Sequence, residues 1–229
     1  MAANDDKAVR WGAGAGAAAV VLFLSGALVT GTPDFGGSSD VAVGYLVDNR
    51  TAIQIGSALF AAAVPFLVWF LATVVSLARS GPPGAQRAAT VALGCALMAF
   101  TLFLSDVAAL AVGALRPDNM TANPELAQAL LDYSFLAFGM ASFLVAGMFV
   151  ALAVLCLRDG MVWPRWLGWA AAVAAPVTAL RIGTLFTTEG PFASDGVLGL
   201  YLPVAALAGW VCVASVVLVR RVDTAPVSS

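Results

Sequence analysis

The sequence predicts an all-α integral membrane protein: a six-transmembrane-helix bundle, one domain over residues 1–229, with N- and C-termini cytoplasmic. Three observations carry this expectation. The chain is 61% hydrophobic and only 10% charged, with mean hydropathy +0.94, whereas a soluble domain carries roughly a quarter charged residues. Six apolar runs are each long enough to cross about 30 Å of hydrocarbon, which takes about 20 residues as a helix. The basic residues fall mainly in alternate links between those runs.

The runs cover about 11–31, 51–78, 88–115, 126–157, 163–186 and 197–219. Lipid offers no partner for backbone groups, so the spans are helices, and the alternation of a membrane barrel is missing. With the N-terminus inside, Lys7, Arg10, Arg79, Arg87, Arg158, Arg165, Arg220 and Arg221 are cytoplasmic, whereas Arg50 and Arg116 lie outside. That is the positive-inside pattern.

The first run is preceded by a short charged start that resembles a signal peptide. Asp5 and Asp6 dilute its positive charge, and the apolar stretch exceeds the usual 7–15 residues. It is therefore expected to stay as the first span, with Gly12 and Gly16 at a spacing that lets another helix approach. The following loop, "GTPDFGGSSDVAVGYLVDNR" (31–50), holds a short helix capped by Ser39, with Asp40 in its first turn and Val41, Tyr45 and Leu46 on one side. Such a helix lies on the membrane surface or folds over the mouth of the bundle.

The links "RSGPPGAQR" and "RDGMVWPR" are short and rich in turn residues, so spans two and three, and then four and five, are antiparallel neighbours. "NPEL" places Asn123 at the N-cap and Pro124 at N1 of the fourth helix. Pro65, Pro176 and Pro203 fall inside spans two, five and six, where each removes a backbone donor and bends its helix. Trp11, Trp163, Trp166 and Trp169, together with Arg165, are expected to anchor the inner interface, where amphipathic rings and long cations settle.

Two charges stand out. Asp106, in "LFLSDVAALAV", lies about 15 Å below the outer end of span three, and Arg181 about 9 Å from the outer end of span five. Each costs at least ~2.5–3.5 kcal/mol at mid-membrane. They are best explained together, as a buried Asp106–Arg181 pair in which the planar guanidinium holds the carboxylate. Asp132, beside Tyr133 on span four, is a rival partner for Arg181 or for Arg50, and Arg50 is also placed to reach water unaided.

Other chemistry is thin. Histidine is absent, which excludes Ser-His-Asp, Cys-His and HExxH arrangements. Cys95, Cys156 and Cys212 lie in separate apolar runs without metal spacing and read as small core residues. No catalytic residue, metal or cofactor is expected. A net charge of −2 without a basic stripe argues against nucleic acid. The expected partner is the lipid bilayer, with a protein partner or a second copy left open.

The run "LRDGMVWPRWLGWAAAVAAPVTAL" (157–180) resembles the start of the fifth helix in uncharacterised bacterial, largely actinobacterial, multi-pass membrane proteins, where a Pro-Arg-Trp-Leu-Gly-Trp string opens a span. "VAVGYLVDNRTAIQIGSAL" (41–59) is similar to the outer loop and second helix of the same group. The resemblance implies six helices in a bacterial plasma (inner) membrane and no particular mechanism, because the group is a domain of unknown function. Two functions lead, with an enzyme a distant third. One is a non-catalytic or accessory membrane component held by the buried pair. The other is a small transporter or channel-like protein whose outward-facing pocket uses Arg181 to bind an anion and Asp106 as a titratable gate.

Overall fold

A computed structural model describes residues 2–33, 37–159, 163–185 and 196–223. Among them there is no strand. The helices are α1 (Ala2–Thr30), α2 (Ser39–Asp48), α3 (Arg50–Ala78), α4 (Pro83–Leu115), α5 (Pro117–Ala122), α6 (Pro124–Val154), α7 (Arg165–Ala179) and α8 (Leu202–Asp223). Six helical segments are long and apolar enough to cross a membrane, and they correspond one for one to the six predicted runs. Three carry irregular ends: a π-turn at Leu155–Asp159 follows α6, a 3₁₀ turn at Leu180–Leu185 follows α7, and a π-turn at Val197–Tyr201 precedes α8.

The long helices pack in chain order, each against the next, and α8 returns to α1 to close the ring. Both expected antiparallel hairpins form, α3 with α4 and α6 with α7. Alternation puts the start of α1 and the finish of α8 at one end of the bundle, called here the near end. The short helices α2 and α5 sit at the far end.

Small residues set the closest approaches. A Cβ on Gly12 would overlap Thr73 of α3, and one on Gly16 would overlap Phe70 of α3 and Ser215 of α8. At the far end of the same crossing, a Cβ on Gly56 would overlap Thr30 and come within 3.1 Å of the Gly26 carbonyl. Backbone cannot give way as a flexible side chain can. Gly56→Ala is therefore expected to cost about 1–3 kcal/mol, read as a shift of the unfolding midpoint in detergent. Gly84→Ala, where nothing lies within 4 Å, is the control and should be near neutral.

Near the α1 start, the core is aromatic. Trp163 is 1% exposed, meets Trp210 edge-on at 5.2 Å, and donates its indole N–H to the Ala214 carbonyl at 3.2 Å. Trp210 in turn packs on Phe149 and donates to the Leu167 carbonyl. This corrects one expectation: Trp163 is a core residue tying the start of α7 to α8, not an interface anchor. Trp11, Trp166 and Trp169 are 74%, 55% and 64% exposed, and Arg165 is exposed too. Pro164 ends up one position before the helix, which starts at Arg165.

At the far end, α2 folds over the bundle. Leu46 is fully buried with Ala42, Ile53, Ala114, Met120, Ala127 and Leu131, and Gly113 lets it approach α4. The register differs from the expected one. Ser38, not Ser39, precedes the helix and makes no side-chain cap, and Val41 is exposed while Ala42 takes the inner position. Packing on α4 and α6 selects the Ala42–Leu46 face, one helical turn apart. Asn123 and Pro124 start α6 as expected. Pro203 falls inside span six as expected, in the first turn of α8 and directly after the π-turn. Acidic Asp34, Glu189 and Asp195 of the predicted outer loops lie outside the described residues.

Candidate functional site: the buried polar layer

Asp106 and Arg181 are 6% and 2% exposed, on α4 and on the 3₁₀ turn after α7. Helix α6 lies between these elements and carries a partner for each. The Ser134 hydroxyl donates to an Asp106 carboxylate oxygen. One turn on, Phe138 lies under the Arg181 guanidinium, whose central carbon is 3.7 Å from the ring centroid. Positions i and i+4 share a helix face, so a single stripe of α6 receives both charges.

Arg181 also donates from Nη1 to the Gly199 carbonyl. In a regular α-helix that carbonyl would accept from residue 203, which is Pro203 and has no N–H. Gly199 lies in the π-turn before α8 and not in a regular α-helix, and its carbonyl accepts from the arginine. The Arg181 carbonyl itself accepts from the Thr184 hydroxyl at 2.7 Å. Nε of Arg181 and Oγ1 of Thr30 are buried without a hydrogen-bond partner among the described residues.

The direct ion pair expected between Asp106 and Arg181 is replaced by this arrangement. Each group is held by α6 or by the turn before α8, and the two charges remain within electrostatic reach of one another. Asp132 and Arg50 stand elsewhere. Both are exposed, and Asp132 accepts from Gln128 at 3.0 Å on its own helix. Tyr133 is 48% exposed and shares a hydrogen bond with Ser105 on the outside of the α4–α6 hairpin. Neither Asp132, Tyr133 nor Arg50 joins the buried layer.

Tyr45 belongs near this layer, and its role as more than an apolar face residue was not evident from the loop alone. From α2 its hydroxyl donates to the Thr30 carbonyl at 3.1 Å. Burial, and secondarily the negative charge of Asp106, pushes its phenol above the ordinary tyrosine range. The folded state therefore keeps a proton that an unfolded chain releases near pH 10. Stability from this group is fully present below that pH and is lost as pH rises beyond it. Wild type should lose unfolding free energy above pH 10 more steeply than Tyr45→Phe, and tyrosinate absorbance should show one of the three tyrosines titrating late. Equal alkaline slopes for the two proteins would contradict this.

Toward the near end of the bundle, Phe138 borders a cavity of about 70 Å³ between α1, α3, α4, α6 and α8. Phe23, Phe60 and Phe103 form its aromatic wall with Phe138. The single hydroxyl in that wall, Ser142, donates to the Phe138 carbonyl at 3.1 Å. A wall with no remaining donor or acceptor side chain suits apolar contents and offers water little. Phe138 thus stands between an apolar cavity and the buried arginine.

Among the described residues, the fold and this layer define a class: a helical bundle without strands, with six helices long and apolar enough to span a membrane and with Asp106 and Arg181 held inside it. Comparison with protein-family models, curated proteins and solved structures gives no match.

Proposed function

We propose that this chain is a multi-pass protein of a bacterial plasma membrane, with both termini in the cytoplasm, that acts as a non-catalytic or accessory membrane component. The observation that carries the reading is that both buried charges are held by neighbouring groups of the bundle, although Nε of Arg181 has no partner among the described residues. Asp106 is held by Ser134, and Arg181 by Gly199 and Phe138. Helices α4, α6 and the segments flanking α7 and α8 are clasped by these contacts. Intramembrane charges used for transport ordinarily face a water-filled path. Here the neighbouring cavity is apolar and lies beyond the Phe138 ring. The cytoplasmic placement of the near end is supported by the eight basic residues in its sequence segments, and the resemblance around Trp163–Trp169 fits the same membrane.

Flux from proteoliposomes tests the reading. Vesicles holding the purified protein should leak protons and chloride no faster than protein-free vesicles. A flux above that background, lost in Arg181→Gln or Asp106→Asn, would overturn it in favour of a transporter that uses the same two residues.

A further inference from the structure

Between α1 and α3, on the surface of the bundle at its near end, runs a groove of about 930 Å³. Its walls include Trp11 on α1, Pro65, Trp69, Ala72 and Ser76 on α3, and Ser80 in the turn after it. Both tryptophans are largely exposed, at 74% and 62%. We propose that this groove is a binding site for one anionic phospholipid, its acyl chain along α3 and its phosphate at the near end.

The dimensions fit. From Leu77 to Pro65 the groove follows α3 for twelve residues, about 18 Å at 1.5 Å per residue, and Ser80 in the turn beyond extends it further. One leaflet with its headgroup is half of a bilayer of about 40–45 Å, or roughly 20–22 Å. The deep part is apolar, and hydroxyls occur toward the end where a headgroup would lie, at Thr73, Ser76 and Ser80.

The charge fits as well. Gly12 opposes Thr73 and Gly16 opposes Phe70, so the antiparallel register sets Lys7 level with Ala78 and Arg79. Neither cation lines the groove itself, but Lys7 adjoins Ala8 and Arg79 adjoins Ser80, both wall residues, so the two cations flank its near end. Both are exposed, as is Asp6, and Asp5 and Asp6 directly precede Lys7 in the sequence, so the selectivity rests on the placement of the two cations and not on a net positive charge. Two cations at the mouth of an apolar slot select an anionic headgroup over a zwitterionic one, because basic residues near a lipid surface draw negative charge. Tryptophan at the rim matches the interfacial preference of its ring.

The site rests on the membrane reading above. Its test is native mass spectrometry of the delipidated protein in detergent, titrated with phosphatidylglycerol or with phosphatidylcholine of the same acyl chains. Phosphatidylglycerol should be retained as a single adduct. The Lys7→Gln/Arg79→Gln protein should weaken that retention by about tenfold or more. Ala72→Trp, which fills the exposed groove, should abolish it, and Arg220→Gln/Arg221→Gln, at the same end but on α8, should leave it unchanged. Equal retention of the two lipids, an equal loss in the α8 variant, or dimers that disappear with Ala72→Trp would each overturn the proposal. A chain that stays soluble without detergent would overturn the membrane reading instead.

Discussion

Replacing Arg181 by methionine is expected to cost about 3–5 kcal/mol, because the change leaves Asp106 buried without an opposite charge. Asp106 is 6% exposed and has the Ser134 hydroxyl as its partner, which solvates a carboxylate only partly. Asp106→Leu should be costly for the mirror reason, since Arg181 would keep Gly199 and Phe138 but lose its counter-charge. The informative protein is the double variant. Replacing both charges with apolar groups of similar volume is often neutral or stabilising, so the double variant should be more stable than either single one.

Chemical denaturation of the four proteins in the same detergent supplies the cycle. If the double variant is less destabilised than either single one, the interaction energy equals or exceeds the larger single effect, about 3 kcal/mol or more, at or above the top of the range typical of residues sharing a network. Additive single effects would show that the two charges are independent. Each would then act only through its own partner, Asp106 through Ser134 and Arg181 through Gly199.

Trp163→Ala should cost a similar amount, about 3–5 kcal/mol. The side chain is 1% exposed, wedged between Phe70 and Trp210, with its N–H on the Ala214 carbonyl. Trp163→Phe separates the two contributions. It keeps most of the apolar contact but leaves the Ala214 carbonyl without that donor, for an expected loss of about 1–3 kcal/mol. Trp166→Ala and Trp169→Ala, at 55% and 64% exposure, remove no packed core and should shift the unfolding midpoint little. A Trp163→Ala protein as stable as those two would contradict the core assignment.

The contrast among these tryptophans shows where sequence reading reaches its limit. "WPRWLGW" offers three tryptophans within seven residues, and composition treats them alike. Helical periodicity could have divided Trp166 and Trp169 from the inner face, where Leu167, Gly168 and Ala171 are buried. Trp163 precedes the helix, so no periodic rule applied to it. Only the return of α8 to this end of the bundle gives its ring and N–H their partners.

The polar layer divides in the same way. That Asp106 and Arg181 face inward follows from their cost in hydrocarbon, and both are buried. Their partners did not follow. The expected ion pair was the simplest way to pair two charges of similar depth, but depth along a span fixes height and not azimuth. Ser134 and Phe138, four residues apart on α6, each contact one of the two groups. A sequence signal for the Gly199 contact existed in the i/i+4 relation between Gly199 and Pro203, because such a proline frees a carbonyl. Choosing Arg181 as its donor required knowing that the α7 and α8 segments meet.

What the sequence determined by itself is the number, order and extent of the apolar helices, because hydrocarbon forces each backbone to satisfy its own hydrogen bonds and sets a minimum length. Local chemistry also fixed the start of α6 at Asn123 and Pro124. Tertiary structure decided which face of each helix turns inward, which tryptophan is core, and how the two charges are held. In a chain this uniformly apolar, the amphipathic pattern that normally marks an inner face is weak. The choice passes to close contacts at glycine, to shape among aromatic rings, and to a few hydrogen bonds between helices distant in sequence.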